Sequence, residues 1–159
     1  MIVLIAIPLI LAIMWLGLLT SVIEEETDKI TINMASPVVT QRTITDQIYW
    51  DADIEINKIT PDLALASYTD IRVIVKASDG SVLIPSTKPL ADDPSEYDDG
   101  SDGTVDVQVW YDNIISGTIM FEGDSFILTG ITDAYEGATV QIRHKDRQIG
   151  STTLPTNFP

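Results

Sequence analysis

The chain opens on 23 residues without a charged side chain, MIVLIAIPLILAIMWLGLLTSVI, and the acids Glu24, Glu25 and Glu26 follow at once. A run of that length and apolarity predicts a helix able to cross a bilayer, which takes roughly 20 apolar residues. No polar stripe interrupts it, so every face of the predicted helix requires burial. Two surroundings satisfy that requirement: lipid around a single span, or like helices from neighbouring copies in a filament. A secretory signal fits less well. No Lys or Arg precedes Lys29, and the apolar run exceeds the roughly 7–15 residues of such a segment.

From Lys29 onward the pattern turns to alternation of period two, the mark of half-buried strands. Ile30, Ile32 and Met34 alternate with Thr31 and Asn33, and Ile54 and Ile56 with Asp53, Glu55 and Asn57. Val105, Val107 and Val109 alternate with Asp106, Gln108 and Trp110, and Val140 and Ile142 with Thr139, Gln141 and Arg143. Turn residues separate these runs. Asp79 and Gly80 give a hairpin signal within 70–84. Glu122, Gly123 and Asp124 lie between β-prone runs at 118–121 and 126–129, and Lys145, Asp146 and Arg147 between 141–144 and 148–152. About eight or nine short strands at this spacing predict a sandwich or barrel. The expected fold class is therefore α+β: a long apolar N-terminal α-helix over residues 1–27, followed over 28–159 by an all-β, immunoglobulin-like sandwich exposed to the outside.

Charge narrows the choice of partner. Nine Lys and Arg against 24 Asp and Glu leave a formal charge of −15, which speaks against a nucleic-acid backbone or an anionic membrane surface. It suits a solvated outer surface. Cysteine is absent, so neither disulfides nor thiolate metal sites contribute, and no N-x-[ST] sequon occurs. His144 is the only histidine. A general base needs an orienting partner and a pocket, and the predicted hairpin tip offers neither, so His144 is read as an exposed turn residue. Without a cysteine or a Gly-rich phosphate loop, the pattern points away from an enzyme and calls for no cofactor.

Three groups of residues are candidates for contact. Ile2, Leu4, Ile5, Leu9, Leu11, Ile13 and Leu16 supply apolar packing in the predicted helix. Pro8 removes one backbone hydrogen bond there, Gly17 allows close backbone approach, and Trp15 is suited to packing against another helix. The stretch ADDPSEYDDGSDG at 91–103 reads as a loop. Its carboxylates, Asp98, Asp99 and Asp102 foremost, are hard oxygen donors of the kind that hold calcium, but the spacing is not that of an EF-hand, and a run of acids is more often a solvated tip. Arg143, Lys145 and Arg147 form the densest positive group. They either solvate their turn or meet Asp92 and Asp93 in the acidic loop of a neighbouring subunit, a contact that fixes register more than it adds affinity.

The apolar N-terminal run and the C-terminal stretch 105–155 together resemble archaeal type IV pilins and pilin-like proteins. The residues carrying the resemblance are VDVQVWYDN, GTIMFEGDSFILTG and GATVQIRHKDRQIGSTTLP, with a Gly-Asp step before a strand and a closing hairpin that ends in a Thr-rich strand. Ile5 stands where bacterial pilins usually carry an acid, so the archaeal branch is the nearer one, although Pro8 lies further along than the early proline common there. The resemblance implies a precursor held in the cytoplasmic membrane and stripped of a basic leader. The pilus assembly machinery then draws it into an extracellular helical homopolymer, with the β domains outside serving adhesion or motility. The alternative belongs to another class: a single-span, membrane-anchored envelope or stator module whose sandwich faces outward to bind.

Overall fold

The alternation that begins at Ile30 folds, among the described residues, as nine antiparallel strands. The structure, a computed structural model, describes residues 30–44, 46–61, 67–85, 107–115 and 117–159. In chain order the strands are β1 (Thr31–Met34), β2 (Val38–Ile44), β3 (Gln47–Thr60), β4 (Ile71–Lys76), β5 (Val82–Ile84), β6 (Gln108–Asp112), β7 (Ser125–Ile131), β8 (Thr139–His144) and β9 (Arg147–Thr153). One sheet runs β1-β3-β7-β6, with β2 also paired to β3; the other runs β5-β4-β8-β9. This order parallels the A-B-E-D and C′-C-F-G sheets of immunoglobulin-type domains.

The fold class is all-β over these residues, and the α+β expectation is corrected accordingly. The helical elements among the described residues are three-residue 3₁₀ turns, Tyr68–Asp70 and Asp133–Tyr135, and no helix there is long and apolar enough to cross a membrane. The reason is the period-two placement of β-branched residues, which buries one face of a strand and cannot make a helical stripe. The helix expected over 1–27 falls on residues outside the described ones. The pilin and transmembrane-helix description is therefore corrected for the described residues, among which no long apolar helix occurs.

β3 organises the first sheet. Its far half pairs with β2 from Ile44↔Gln47 to Val38↔Asp53, and its near half pairs with β1 from Met34↔Ile56 to Thr31↔Thr60. On its other side β7 pairs with it from Trp50 to Glu55. The tip of the β2–β3 hairpin therefore runs past β7 as a two-stranded ribbon, turning at Asp46 with φ 64°. Ile54, Ile56, Phe126, Leu128 and Tyr111 from this sheet meet Ile71, Val73, Val75, Val140 and Ile142 from the other in one core.

The predicted Asp79–Gly80 hairpin joins β4 to β5. Its turn is held by Asp79, whose Oδ1 accepts from the Ser81 backbone at 2.8 Å and the Ser81 hydroxyl at 2.6 Å. The Ser81 hydroxyl bond leads in holding the Asp79 carboxyl below its usual range. Residues 118–121, expected as a strand, contribute an isolated bridge from Ile119 to Ser67 instead.

Candidate functional site

Two places concentrate polar chemistry: the pole where the chain enters β1, and the loop between β6 and β7. At the first, β8 and β9 join through Lys145, in left-handed backbone at φ 53°, and Asp146. The Arg147 guanidinium donates to the Ile30 carbonyl at 2.7 Å, and Ile30 itself is fully buried. Arg143 donates to the Asp146 carbonyl, which ties down the turn, while its Nε is buried with no hydrogen-bond partner among the described residues. Two members of the basic group thus bind their own chain. The Lys145 backbone N–H points to the Asp70 carbonyl at 3.5 Å.

His144 is 5 % exposed, so the exposed turn residue expected from the sequence is corrected to a buried one. The cause is strand phase: Val140, Ile142 and His144 all lie on the inward face of β8, and His144 stands opposite Ile71 on β4.

The N-terminal strand is also sealed to the second sheet. A Cβ on Gly150 of β9 would lie 2.5 Å from Ile32 Cγ1 and 3.0 Å from the Ile32 carbonyl oxygen, so only a glycine lets β1 come this close. Ile30 is clamped by Arg147 and Ile32 lies over Gly150, which locks the first strand across the seam between the sheets.

The second place centres on Asp124, fully buried. Residues 122–124 extend the ladder of β3, with the Ile56 N–H donating to the Asp124 carbonyl and the Gly123 N–H to the Ile56 carbonyl, both at 2.8 Å. The Asp124 carboxylate then accepts three bonds: from the Tyr111 hydroxyl at 2.6 Å, the Phe121 N–H at 2.7 Å and the Ile114 N–H at 3.0 Å. Tyr111 stacks on Tyr68 with ring centroids 4.8 Å apart. Burial, and then the hydrogen bond and charge of Asp124, push the Tyr111 hydroxyl well above the ordinary tyrosine range. This arrangement is a loop fastener. It holds Ile114, Ile115 and Phe121 on the surface, where they remain exposed.

The outer faces of the two sheets differ in charge. Asp53 and Glu55 on β3 and Asp112 on β6 stand exposed on the first sheet, beside Asp51, which pairs with Arg42 at 3.3 Å. On the second sheet Arg72 and Lys76 of β4 and Arg143 of β8 alternate with inward Ile71, Val73, Val75 and Ile142. No acidic residue occurs in β4, β5, β8 or β9.

Ile2, Leu4, Ile5, Pro8, Leu9, Leu11, Ile13, Trp15, Leu16 and Gly17 lie outside the described residues, as do Asp92, Asp93, Asp98, Asp99 and Asp102. No group of three or more metal-ligating side chains occurs among the described residues. Asp124 went unread as a functional residue in the sequence, although its place in the Gly-Asp step before a strand was the available signal. No family model, no curated protein and no solved structure matches this chain. The pilin resemblance therefore stands on its quoted residues alone.

Proposed function

We propose that the chain is a structural subunit of an extracellular filament, its β domain forming the outer surface and its apolar N-terminal sequence holding copies together. The observation that carries this reading is the grip on the first strand. Residues 24–29 are all that separate the charge-free run from buried Ile30, which Arg147 holds by its carbonyl while Gly150 admits Ile32. Ladder hydrogen bonds lie perpendicular to the strands. A pull along β1 from its N-terminal end therefore loads the β1–β3 bonds together rather than one after another. A domain so fastened at its point of attachment is suited to bearing tension. His144 is turned inward on β8 and Asp124 accepts three hydrogen bonds within its loop, so both support the domain that bears the load.

The same grip favours a second reading, an outward binding module anchored singly in the membrane, and one experiment separates the two. Material sheared from cells and viewed by negative-stain electron microscopy is expected to contain filaments of this chain. Leu9→Asp or Ile13→Asp is expected to abolish them, because a charge at an apolar contact costs several kcal/mol, about 2.5–3.5 in a lipid-like setting. The β domain should keep its strand-type circular dichroism. Filaments that persist in both variants would sink the proposal, and retention of single copies in the detergent fraction would select the anchored module.

A further inference from the structure

The two outer faces offer a contact that the filament reading does not by itself specify. We infer that the basic outer face of the β5-β4-β8-β9 sheet docks on the acidic outer face of the β1-β3-β7-β6 sheet of a second copy of this chain. The inference rests on the filament reading and deepens it.

Charge gives the first argument. Of the nine Lys and Arg residues, Arg72, Lys76 and Arg143 lie on the outward phase of β4 and β8, in a chain of net charge −15. Arg72 and Arg143 are direct cross-strand partners. Like charges placed opposite each other weaken a sheet, so this pair costs the isolated domain stability that an opposing carboxylate restores. Asp53, Glu55 and Asp112 provide such carboxylates, exposed on the other face.

Spacing gives the second. Arg72 and Lys76 are four residues apart on β4, about 13 Å at roughly 3.3 Å per residue. On the acidic face Glu55 and Asp112 share one row across β7, about 10 Å apart at the usual strand spacing, with Asp53 two residues along β3 from Glu55. Between the charges each face is less polar: Ile74 sits between Arg72 and Lys76, and Val38, Ile127 and Trp110 share the row of Asp53. A contact between these faces thus has an apolar centre and charged margins, the composition of protein interfaces.

Symmetry gives the third. A two-fold contact would set like charge against like, so the contact must be heterologous, one copy's basic face on the next copy's acidic face. Such a contact leaves an unused face at each end and propagates unless its rotation closes a ring. It would order neighbouring β domains along a filament's surface.

The test is a charge exchange in the full-length chain, purified in detergent and followed by sedimentation. Arg72→Glu with Lys76→Glu makes both faces acidic; Asp53→Lys with Glu55→Lys makes both more basic. Each double variant alone is expected to self-associate at least about tenfold more weakly than the unaltered chain, and an equimolar mixture to recover association, weakening as salt rises. Should the acidic variant melt early, Arg72→Gln with Lys76→Gln replaces it, and loss of the salt dependence is then the expected result. Association of each variant at the unaltered strength, or a mixture that stays dissociated, would overturn the inference. If sheared filaments of both variants look normal by microscopy, the inference falls while the filament reading stands. If the unaltered chain forms no assembly at all, both fall.

Discussion

Asp124 shows how one buried carboxylate can hold a surface loop. Its three donors come from β6, from residue 114 and from residue 121, so removing the acceptor strands all three at once. Asp124→Ala is expected to cost about 3 kcal/mol, since hydrogen bonds to a charged group contribute about 1.5–3 kcal/mol each and part of the loss is recovered by water. Denaturant melting measures it. Tyr111, one of those donors, carries a pH signature. Its folded pKa is raised above the unfolded value of 10.0, by burial first, and Tyr135 is raised by burial as well. In the unfolded chain these hydroxyls ionise near pH 10, while in the folded chain the buried Tyr111 hydroxyl keeps its proton above that pH and Tyr135 is shifted in the same direction. Stability is then complete below pH 10 and falls as pH climbs above it, by up to about 1.4 kcal/mol per pH unit from Tyr111. Tyr111→Phe should flatten that alkaline decline, a result that melts at pH 9 to 11 would show.

At the scale of elements, the sequence was most legible where alternation was strict. β1, the 54–57 part of β3, the β4–β5 hairpin and the β8–β9 hairpin all follow from period two and turn chemistry. β2 escaped because its run Thr40, Gln41, Arg42, Thr43 is polar and Val39 is its one buried residue; its partner is what makes it a strand. The turn residues 145–147 give His144 the look of an exposed tip, whereas the phase of β8 puts it inward with Val140 and Ile142. The Arg147 contact with Ile30 and the Gly150 contact with Ile32 join residues more than 110 positions apart, which no local pattern reveals. They lead to a prediction about the first strand. Gly150→Ala would force a Cβ against Ile32, and overpacking of this kind costs about 1–3 kcal/mol. Amide hydrogen exchange should show residues 31–34 losing protection ahead of the rest of the sheet, because β1 is displaced before the core opens. Equal protection throughout would show that the seam relaxes without releasing the strand.

For the whole molecule, the many short antiparallel strands of the described residues were readable from alternation and turn spacing, but their division into two sheets, and which strands share one, was not. That assignment decides the charge of each face: Arg72 and Arg143 are 71 positions apart in the chain and adjacent only because β4 pairs with β8. The acidic partner expected for the basic hairpin, Asp92 and Asp93, lies outside the described residues, whereas Asp53, Glu55 and Asp112 present carboxylates across a whole sheet. A net charge of −15 hides this division, since the sum says nothing of its distribution.

The ribbon formed by the tip of β2 and β3 has a practical corollary. Past Trp50 its two strands pair only with each other, and Gln47 and Ile48 face solvent. Foreign peptide grafted between Asp46 and Gln47 would extend a free hairpin without prising apart a sheet. That spot is the natural mast for an epitope or fluorophore, from which the position of each copy can be followed with both broad faces left unlabelled.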